Sequence, residues 1–187
     1  TNDNSQKLKK VVISGKNIGA NLFSNCSTLT DITILESVTS IEEKAFDGCR
    51  GLTEIVIPTS VKSIAKGAFS GCSSLEKITV PFVGGSISTQ SGSYESSFQY
   101  IFGDTKYTGS QSISRYVEDS SSNNGTYYMY YIPESLKEVV VMDGNIGDYA
   151  FFGCSLLTSI TVPSDIQSIG AYAFSGCNEL MDFVIPL

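Results

Sequence analysis

The residue types that most often carry out chemistry are sparse in this sequence. None of its 187 residues is histidine, so the commonest general base and every Ser–His or Cys–His nucleophile pair are missing. No two cysteines stand at the close spacing of a zinc motif. The adjacent carboxylates Glu42 and Glu43 are expected to form a solvated edge, and Gly84-Gly85-Ser86 lacks the lysine that follows in a phosphate-binding loop. We predict no catalytic residue, no metal and no cofactor.

The cysteines instead mark a repeat, because Cys26, Cys49 and Cys72 are each 23 residues apart, as are Cys154 and Cys177. An odd number of cysteines leaves at least one unpaired, and equivalent side chains in stacked repeats run parallel and do not point at one another. Disulfides would suit an extracellular protein, but this arrangement favours free, buried thiols that act as small apolar side chains.

Three 23-residue units, beginning at Leu29, Leu52 and Leu157, align without a gap. Each has an isoleucine at its fourth position and an apolar residue at its sixth, an alternation that predicts a short strand. Proline follows that strand in two of them, and all three end in Ala-Phe-x-Gly-Cys. Shorter or partial units raise the number of starts to seven, at about residues 8, 29, 52, 75, 136, 157 and 180.

One such unit cannot bury its own Leu, Ile and Phe side chains, but stacked units form a continuous core. Because one strand recurs per unit in the same direction, neighbouring units are expected to pair in a parallel sheet on one face. The Ala-Phe-x-Gly-Cys turns, short helical or irregular, then lie opposite. The sequence therefore predicts a single curved leucine-rich-repeat solenoid over residues 1–187.

The repeat resembles the BspA-like branch of leucine-rich repeats, found in surface proteins of bacteria and protists. The resemblance rests on Leu-x-x-Ile-x-Ile-Pro and on Ala-Phe-x-Gly-Cys, as in residues 52–58 and 68–72, and covers about three quarters of the chain. It implies a secreted or cell-surface protein that binds a host, matrix or cell-surface partner, either protein or glycan. It implies no catalytic residues.

Composition excludes several other partners. The net charge of −7 disfavours nucleic acid and anionic lipid, which require clustered Lys and Arg. No apolar run approaches the roughly 18 residues of a membrane span, and the polar start resembles no signal peptide. We expect no nucleic-acid partner and no direct membrane insertion by this segment.

One unit is interrupted. Leu75 and Leu136 lie 61 residues apart where 23 suffice, so 38 residues are extra. We call residues 84–131, where the repeat pattern is broken, the insertion. Two segments, Ser112–Glu118 and Thr126–Ile132, read as strands joined by a turn that ends in Asn-Gly, which predicts a hairpin. The segment 97–103 resembles a degenerate Ala-Phe-x-Gly ending, so we expect it to complete the interrupted coil.

The insertion holds eight of the ten tyrosines. Tyrosine gives large contact area at low entropic cost, which suggests a ligand surface; the alternative is that one hairpin face, either Tyr127, Met129 and Tyr131 or Tyr128, Tyr130 and Ile132, packs on the solenoid. The candidate ligand-binding residues are Tyr94, Tyr107, Tyr116, Tyr127, Tyr128 and Tyr130.

Two functions compete with a binding module. The chain ends just after a strand, where another coil would begin, so it can also be a structural spacer of a longer surface protein with no ligand of its own. A hydrolase built on exposed carboxylates is the third, and the absence of histidine weighs against it.

Overall fold

The computed structural model describes residues 7–88, 92–118, 125–181 and 183. Its strands are short, apart from one long pair in the insertion, because prolines or turns end most of them after two to four residues. In chain order they are β1 (Lys10–Ile13), β2 (Asn17–Ile18), β3 (Asp31–Ile34), β4 (Ser40–Ile41), β5 (Glu54–Val56), β6 (Ser63–Ile64), β7 (Lys77–Val80), β8 (Ser110–Glu118), β9 (Gly125–Pro133), β10 (Glu138–Val141) and β11 (Ser159–Thr161).

The first strand of each described coil pairs in parallel with at least one neighbouring coil, as the repeat predicts. β1 pairs with β3, and β5, β7, β10 and β11 form a four-stranded sheet in that order. Equivalent residues lie opposite one another, for example Ile55 with Ile78 and Ile78 with Val139. β10 is therefore the direct neighbour of β7, although the whole insertion lies between them in sequence. These six strands make two sheets, since no ladder joins β3 to β5 among the described residues, and we refer to the six together as the main sheet. The predicted parallel solenoid is confirmed.

A second, narrower ladder forms further along each of the first three coils. β2, β4 and β6 are two-residue strands that also pair in parallel, with Ile18, Ile41 and Ile64 in register. The same three isoleucines are at most 1 % exposed. We call this the rung ladder. It lies between the main sheet and the Ala-Phe turns in sequence, so each of these three coils contributes apolar side chains to the core at three successive points.

Stacked phenylalanines form the core at those turns. Phe46 lies between Phe23 and Phe69, with ring centroids 5.5 and 5.3 Å away and nearly parallel planes. The backbone repeats the same contact, since the N–H of Phe46 donates to the carbonyl of Ala68 at 2.8 Å. Each ring is thus fixed by the equivalent ring of the next coil, which is how identical units make one core.

The insertion rejoins this stack before it leaves the solenoid. A 3-10 helix over Phe98–Phe102 supplies two rings, with Phe102 6.5 Å from Phe69 and Phe98 5.2 Å from Phe151. The backbone pairing continues as well, because Phe69 donates to Ile101 and Phe98 donates to Ala150. The expectation that residues 97–103 complete the interrupted coil is confirmed.

None of the five cysteines, all of them within the described residues, forms a disulfide bond, and four of them are buried. The thiols of Cys49, Cys72 and Cys177 each donate to a phenylalanine carbonyl one coil earlier, at 3.2 Å. Burial raises the pKa of Cys49 to about 12 and that of Cys177 to about 11, so these thiols stay protonated and unreactive at neutral pH. They are repeat positions in the core, as the spacing predicts.

The hairpin forms as predicted and is slightly longer than the sequence suggests. β8 and β9 pair antiparallel from Ser110 opposite Pro133 to Glu118 opposite Gly125, whereas the pattern predicts strands over 112–118 and 126–132. Its predicted turn falls mostly on residues 119–124, which lie outside the described residues. The end of the seventh unit, from residue 184 onwards, lies outside them too.

Candidate functional site

The hairpin has one face on the solenoid and one face in solvent. Ile113, Arg115, Tyr130 and Ile132 are at most 4 % exposed and alternate with outward-pointing residues along both strands. The inward face on β9 is therefore the set Tyr128, Tyr130 and Ile132, one of the two alternatives that the sequence left open. This packing is expected, since a two-stranded hairpin is marginally stable alone.

Arg115 is the polar anchor of the inward face. Its guanidinium donates to the carbonyl of Ser93 at 3.1 Å and to the carbonyl of Gly92, and it lies 4.6 Å from the ring centroid of Tyr149. Burial lowers the pKa of Arg115 from its ordinary value, although a guanidinium remains charged at neutral pH. Sequence reasoning missed this residue, whose signal was an arginine inside a strand in which the only other charged residue, Glu118, is the last.

Two of the six candidate tyrosines support the hairpin. Tyr130 is 1 % exposed and donates to the carbonyl of Tyr94 at 3.0 Å, while the half-buried Tyr107 donates to the carbonyl of Tyr131 at 3.3 Å. Burial raises the pKa of Tyr130 to about 12 and raises that of Tyr107 further. The prediction of a ligand contact is wrong for Tyr130, because its ring has no accessible surface to offer.

Tyr94 and Tyr128 form an aromatic pair at the edge of the inward face. Their rings are stacked with centroids 4.7 Å apart and planes within 5°. The hydroxyl of Tyr94 donates to Glu95 at 2.8 Å, and this bond, followed by burial, raises the pKa of Tyr94 to about 12. Both side chains are half-buried, so the pair links the hairpin to the residues before the 3-10 helix and leaves part of each ring in solvent.

The remaining two candidates lie together on the outward face. Tyr127 is 71 % and Tyr116 46 % exposed, and their ring centroids are 4.9 Å apart. Met129, 40 % exposed, continues the row, and the serines Ser112 and Ser114 are exposed beside it. We call these five residues the outer hairpin face. It combines two adjacent tyrosine rings, the thioether of Met129 and two serine hydroxyls, and none of its five side chains carries a charge.

The main sheet offers a different, charged surface. Lys10 lies 2.7 Å from Asp31, and Lys77 lies 2.8 Å from Glu138, at the first position of neighbouring strands. Such exposed ion pairs contribute little to stability, but they satisfy one another and leave few free charges for a partner. Two exposed valines lie on the same surface, Val12 on β1 and Val56 on β5, which are 56 % and 51 % exposed.

The remaining features that could carry a function are metal-ligating side chains, adjacent carboxylates and membrane-spanning helices. In the described part of the chain, no three His, Cys, Asp or Glu side chains are grouped so that they could hold a metal ion. Glu42 and Glu43 are both exposed, and Glu42 accepts a hydrogen bond from Ser40 at 3.0 Å, consistent with a solvated edge. Among the described residues, no helix is long and apolar enough to cross a membrane.

Comparison with known proteins places the repeats in a family. The model of the BspA type leucine rich repeat region matches six copies, over residues 3–106 and 124–187. No curated protein matches the chain significantly. The gap in the family match, residues 107–123, contains β8, so this part of the insertion does not belong to the matched repeats.

Solved structures share the fold at low sequence identity. A leucine-rich repeat protein from Bacteroides ovatus is 22 % identical with a TM-score of 0.55 over 96 % of this chain, and one from Eubacterium ventriosum is 23 % identical with a TM-score of 0.58 over 95 %. The T. pallidum leucine rich repeat protein is 24 % identical with a TM-score of 0.52 over 92 %. This chain spans 37 %, 39 % and 64 % of those three chains.

Proposed function

Because this chain belongs to the BspA-type leucine-rich repeat family, whose solenoids expose long surfaces suited to partners, we propose that it is a binding module at the cell surface or secreted from the cell. It holds a protein or glycan partner through the outer hairpin face. The observation that carries the proposal is the adjacency of Tyr116 and Tyr127, the latter 71 % exposed, on a face that the solenoid does not use.

Anchoring of the inward face makes the outer face suitable for recognition. Arg115, Tyr130 and the stack of Tyr94 on Tyr128 fix the hairpin before any partner arrives. A preorganised surface loses less conformational entropy on binding than a loose one. Tyrosine rings are also common binding hot spots, because they bury a large area and keep a hydroxyl for hydrogen bonding.

The test compares the intact chain with a variant carrying Tyr116→Ser and Tyr127→Ser, on arrays of extracellular-matrix proteins and oligosaccharides. We expect reproducible binding of at least one probe by the intact chain, weakened about tenfold or more in the variant. Leu22→Ser is the matched control, since Leu22 is a large apolar side chain that is 57 % exposed on the first coil, and it should bind normally.

A structural spacer is the second candidate, and the continuity of the main sheet favours it. β7 and β10 stay paired across the insertion, so the coils continue to stack in the same way on both sides of the hairpin. This chain also spans only part of the length of its structural relatives. A spacer gives no reproducible ligand on either array. If the intact chain binds and both variants bind equally, the main sheet becomes the candidate surface instead.

A further inference from the structure

The main sheet is interrupted between its second and third coils. β1 pairs with β3 and β5 pairs with β7, but no ladder joins β3 to β5 within residues 7–88, the continuous described stretch that contains all four strands. A groove of about 310 Å³ lies along this junction, lined by residues 30–32 and 53–56. We call the junction the seam. Both of its walls, and the chain that connects them, belong to that described stretch.

Two backbone donors are left unused at the seam. At the other four steps between described strands, two successive N–H groups of one coil donate to a single carbonyl of the coil before it. Glu76 and Lys77, for example, donate to the carbonyl of Thr53 at 2.8 and 3.2 Å. Thr53 and Glu54 are the equivalent pair one coil earlier, and within the described ranges neither N–H reaches the carbonyl of Thr30 or any other acceptor.

Like charges face each other at this step. The first residues of β1, β3, β5, β7 and β10 form a row in which charge alternates except at the seam, namely Lys10, Asp31, Glu54, Lys77 and Glu138. Lys10 pairs with Asp31 at 2.7 Å and Lys77 pairs with Glu138 at 2.8 Å, so Glu54 has no salt bridge among the described residues. Two like charges directly opposite each other on adjacent strands are destabilising. The seam therefore coincides with the one step of this row at which the side chains repel.

A proline removes a further hydrogen bond at the seam. Leu35, just after β3, donates its N–H to the carbonyl of Ile13 at 3.0 Å and so closes the end of the β1–β3 pair. Pro58 stands at that position in the next coil and has no N–H to donate. Pro81 lacks the same donor one coil later, yet β5 and β7 remain paired. Because proline alone does not separate two strands, the like charges are the difference that opens the seam.

The second and third coils stay joined at their other two contacts. In the rung ladder, β4 pairs with β6, and Ile41 lies opposite Ile64. At the turns, the rings of Phe46 and Phe69 are 5.3 Å apart, and the N–H of Phe46 donates to the carbonyl of Ala68. Since only the main-sheet side of this step is open, the rung ladder is a line about which the two coils can turn.

We propose that the seam is a charge-controlled hinge, at which the first two coils turn relative to the third about the rung ladder. Repulsion between Asp31 and Glu54 holds the main sheet open. When that repulsion is screened or removed, the N–H groups of Thr53 and Glu54 donate to Thr30 and the sheet closes. Closure changes the curvature of the main sheet and the shape that it presents to a partner. The hinge goes beyond the proposed function, because it does not involve the outer hairpin face.

Amide hydrogen exchange, followed by NMR and corrected for intrinsic rates, tests the hinge on the unchanged chain in 0.1 M salt. The amides of Thr53 and Glu54 should exchange about fivefold or more faster than those of Glu76 and Lys77, which are hydrogen-bonded. Glu54→Gln removes the repulsion and should slow the exchange of its own amide and that of Thr53. Glu76→Gln is the matched control, because it removes an exposed carboxylate that does not face Asp31, and it should leave Thr53 unchanged.

Salt gives a test that needs no substitution at the seam. The Debye length falls from about 10 Å at 0.1 M to about 3 Å at 1 M, so 1 M sodium chloride should slow the exchange of the Thr53 amide in the unchanged chain. In Glu54→Gln the same salt should have no further effect, because the repulsion is already gone.

Spin labels measure the opening itself. Labels on Thr33→Cys and Val56→Cys face each other across the seam, and labels on Val12→Cys and Thr33→Cys face each other across the paired β1–β3 step as the control. Dipolar broadening should increase with salt for the first pair only. Equal exchange of the Thr53 and Glu76 amides in the unchanged chain would show that no seam exists. Fast exchange of Thr53 that persists both in Glu54→Gln and in 1 M salt would show that charge does not control it.

Discussion

The regular coils and the insertion use aromatic residues in opposite ways. In the coils, each phenylalanine lies between its equivalents, as Phe46 lies between Phe23 and Phe69, so translation by one repeat determines what every ring touches. In the hairpin, Tyr130 is buried and Tyr127 is exposed, because residues three apart on one strand lie on opposite faces. Repetition gives the coils a partner on both sides, whereas the hairpin has a partner on one side only and must leave a face free.

The boundary between the two regions runs through the 3-10 helix Phe98–Phe102. Its rings replace a repeat phenylalanine in the core, and its C-terminal end at Gly103 accepts the N–H of Tyr131 at 3.1 Å. The insertion is therefore part solenoid and part appendage. The following predictions test where that boundary lies.

Truncating a core phenylalanine should lower the stability of the protein more than any other change, and by a similar amount in the coils and in the insertion. Phe46 and Phe98 are fully buried, one in a regular coil and one in the insertion, so Phe46→Ala and Phe98→Ala should each lower the free energy of unfolding by about 3–5 kcal/mol. Chemical denaturation measures both. A loss under about 1 kcal/mol for Phe98→Ala alone would place the 3-10 helix outside the cooperative core.

Removing the anchor should loosen the hairpin and leave the coils intact. Arg115→Met keeps an unbranched apolar chain in place of the arginine's aliphatic part but leaves the carbonyls of Gly92 and Ser93 without their donor, at a cost of about 3 kcal/mol in the stability of the hairpin. Hydrogen exchange should become faster in β8 and β9 and stay slow in β5 and β7. Ser114→Ala, on the outward face, is the control; equal acceleration in all four strands would mean that hairpin and solenoid unfold as one unit.

The repeat made most of the fold predictable, because each Leu, Ile and Phe has the same surroundings in every coil. The hairpin strands were predictable from alternation, but the choice of inward face was not, since it depends on Arg115 reaching Ser93 and on Ile113 packing against Gly153. The exposure of Ile87, which stands at the repeat position of the buried Ile41 and Ile64, was not predictable either. Glycine at position 84 shows that the repeat is altered there, yet only the contact with Glu95 shows that the chain reverses and exposes Ile87.

Alkaline pH should destabilise the hairpin through Tyr130. Its pKa is about 12 in the folded protein against 10 unfolded, so the folded state holds the proton more tightly. The resulting stabilisation is complete below pH 10 and is lost as the pH rises to about 12, by about 2 kcal/mol. Denaturation at pH 8, 10 and 11.5 should show a smaller loss for Tyr130→Phe than for the unchanged chain. Parallel losses would mean that Tyr130 is not the responsible group.

The smallest effect on stability should come from the residue most exposed on the outer hairpin face. Tyr127 has 71 % of its surface in solvent, and its partner ring, Tyr116, is itself exposed, so Tyr127→Ser should change the free energy of unfolding by no more than about 0.5 kcal/mol. Tyr130→Ser, three residues along the same strand, should cost several times more because its ring fills a closed space. If Tyr127→Ser destabilises the protein as much as Tyr130→Ser, the outer face is structural and its tyrosines are not free to meet a partner. If it is neutral, the exposed ring of Tyr127 is not needed for folding and is free to contact a partner.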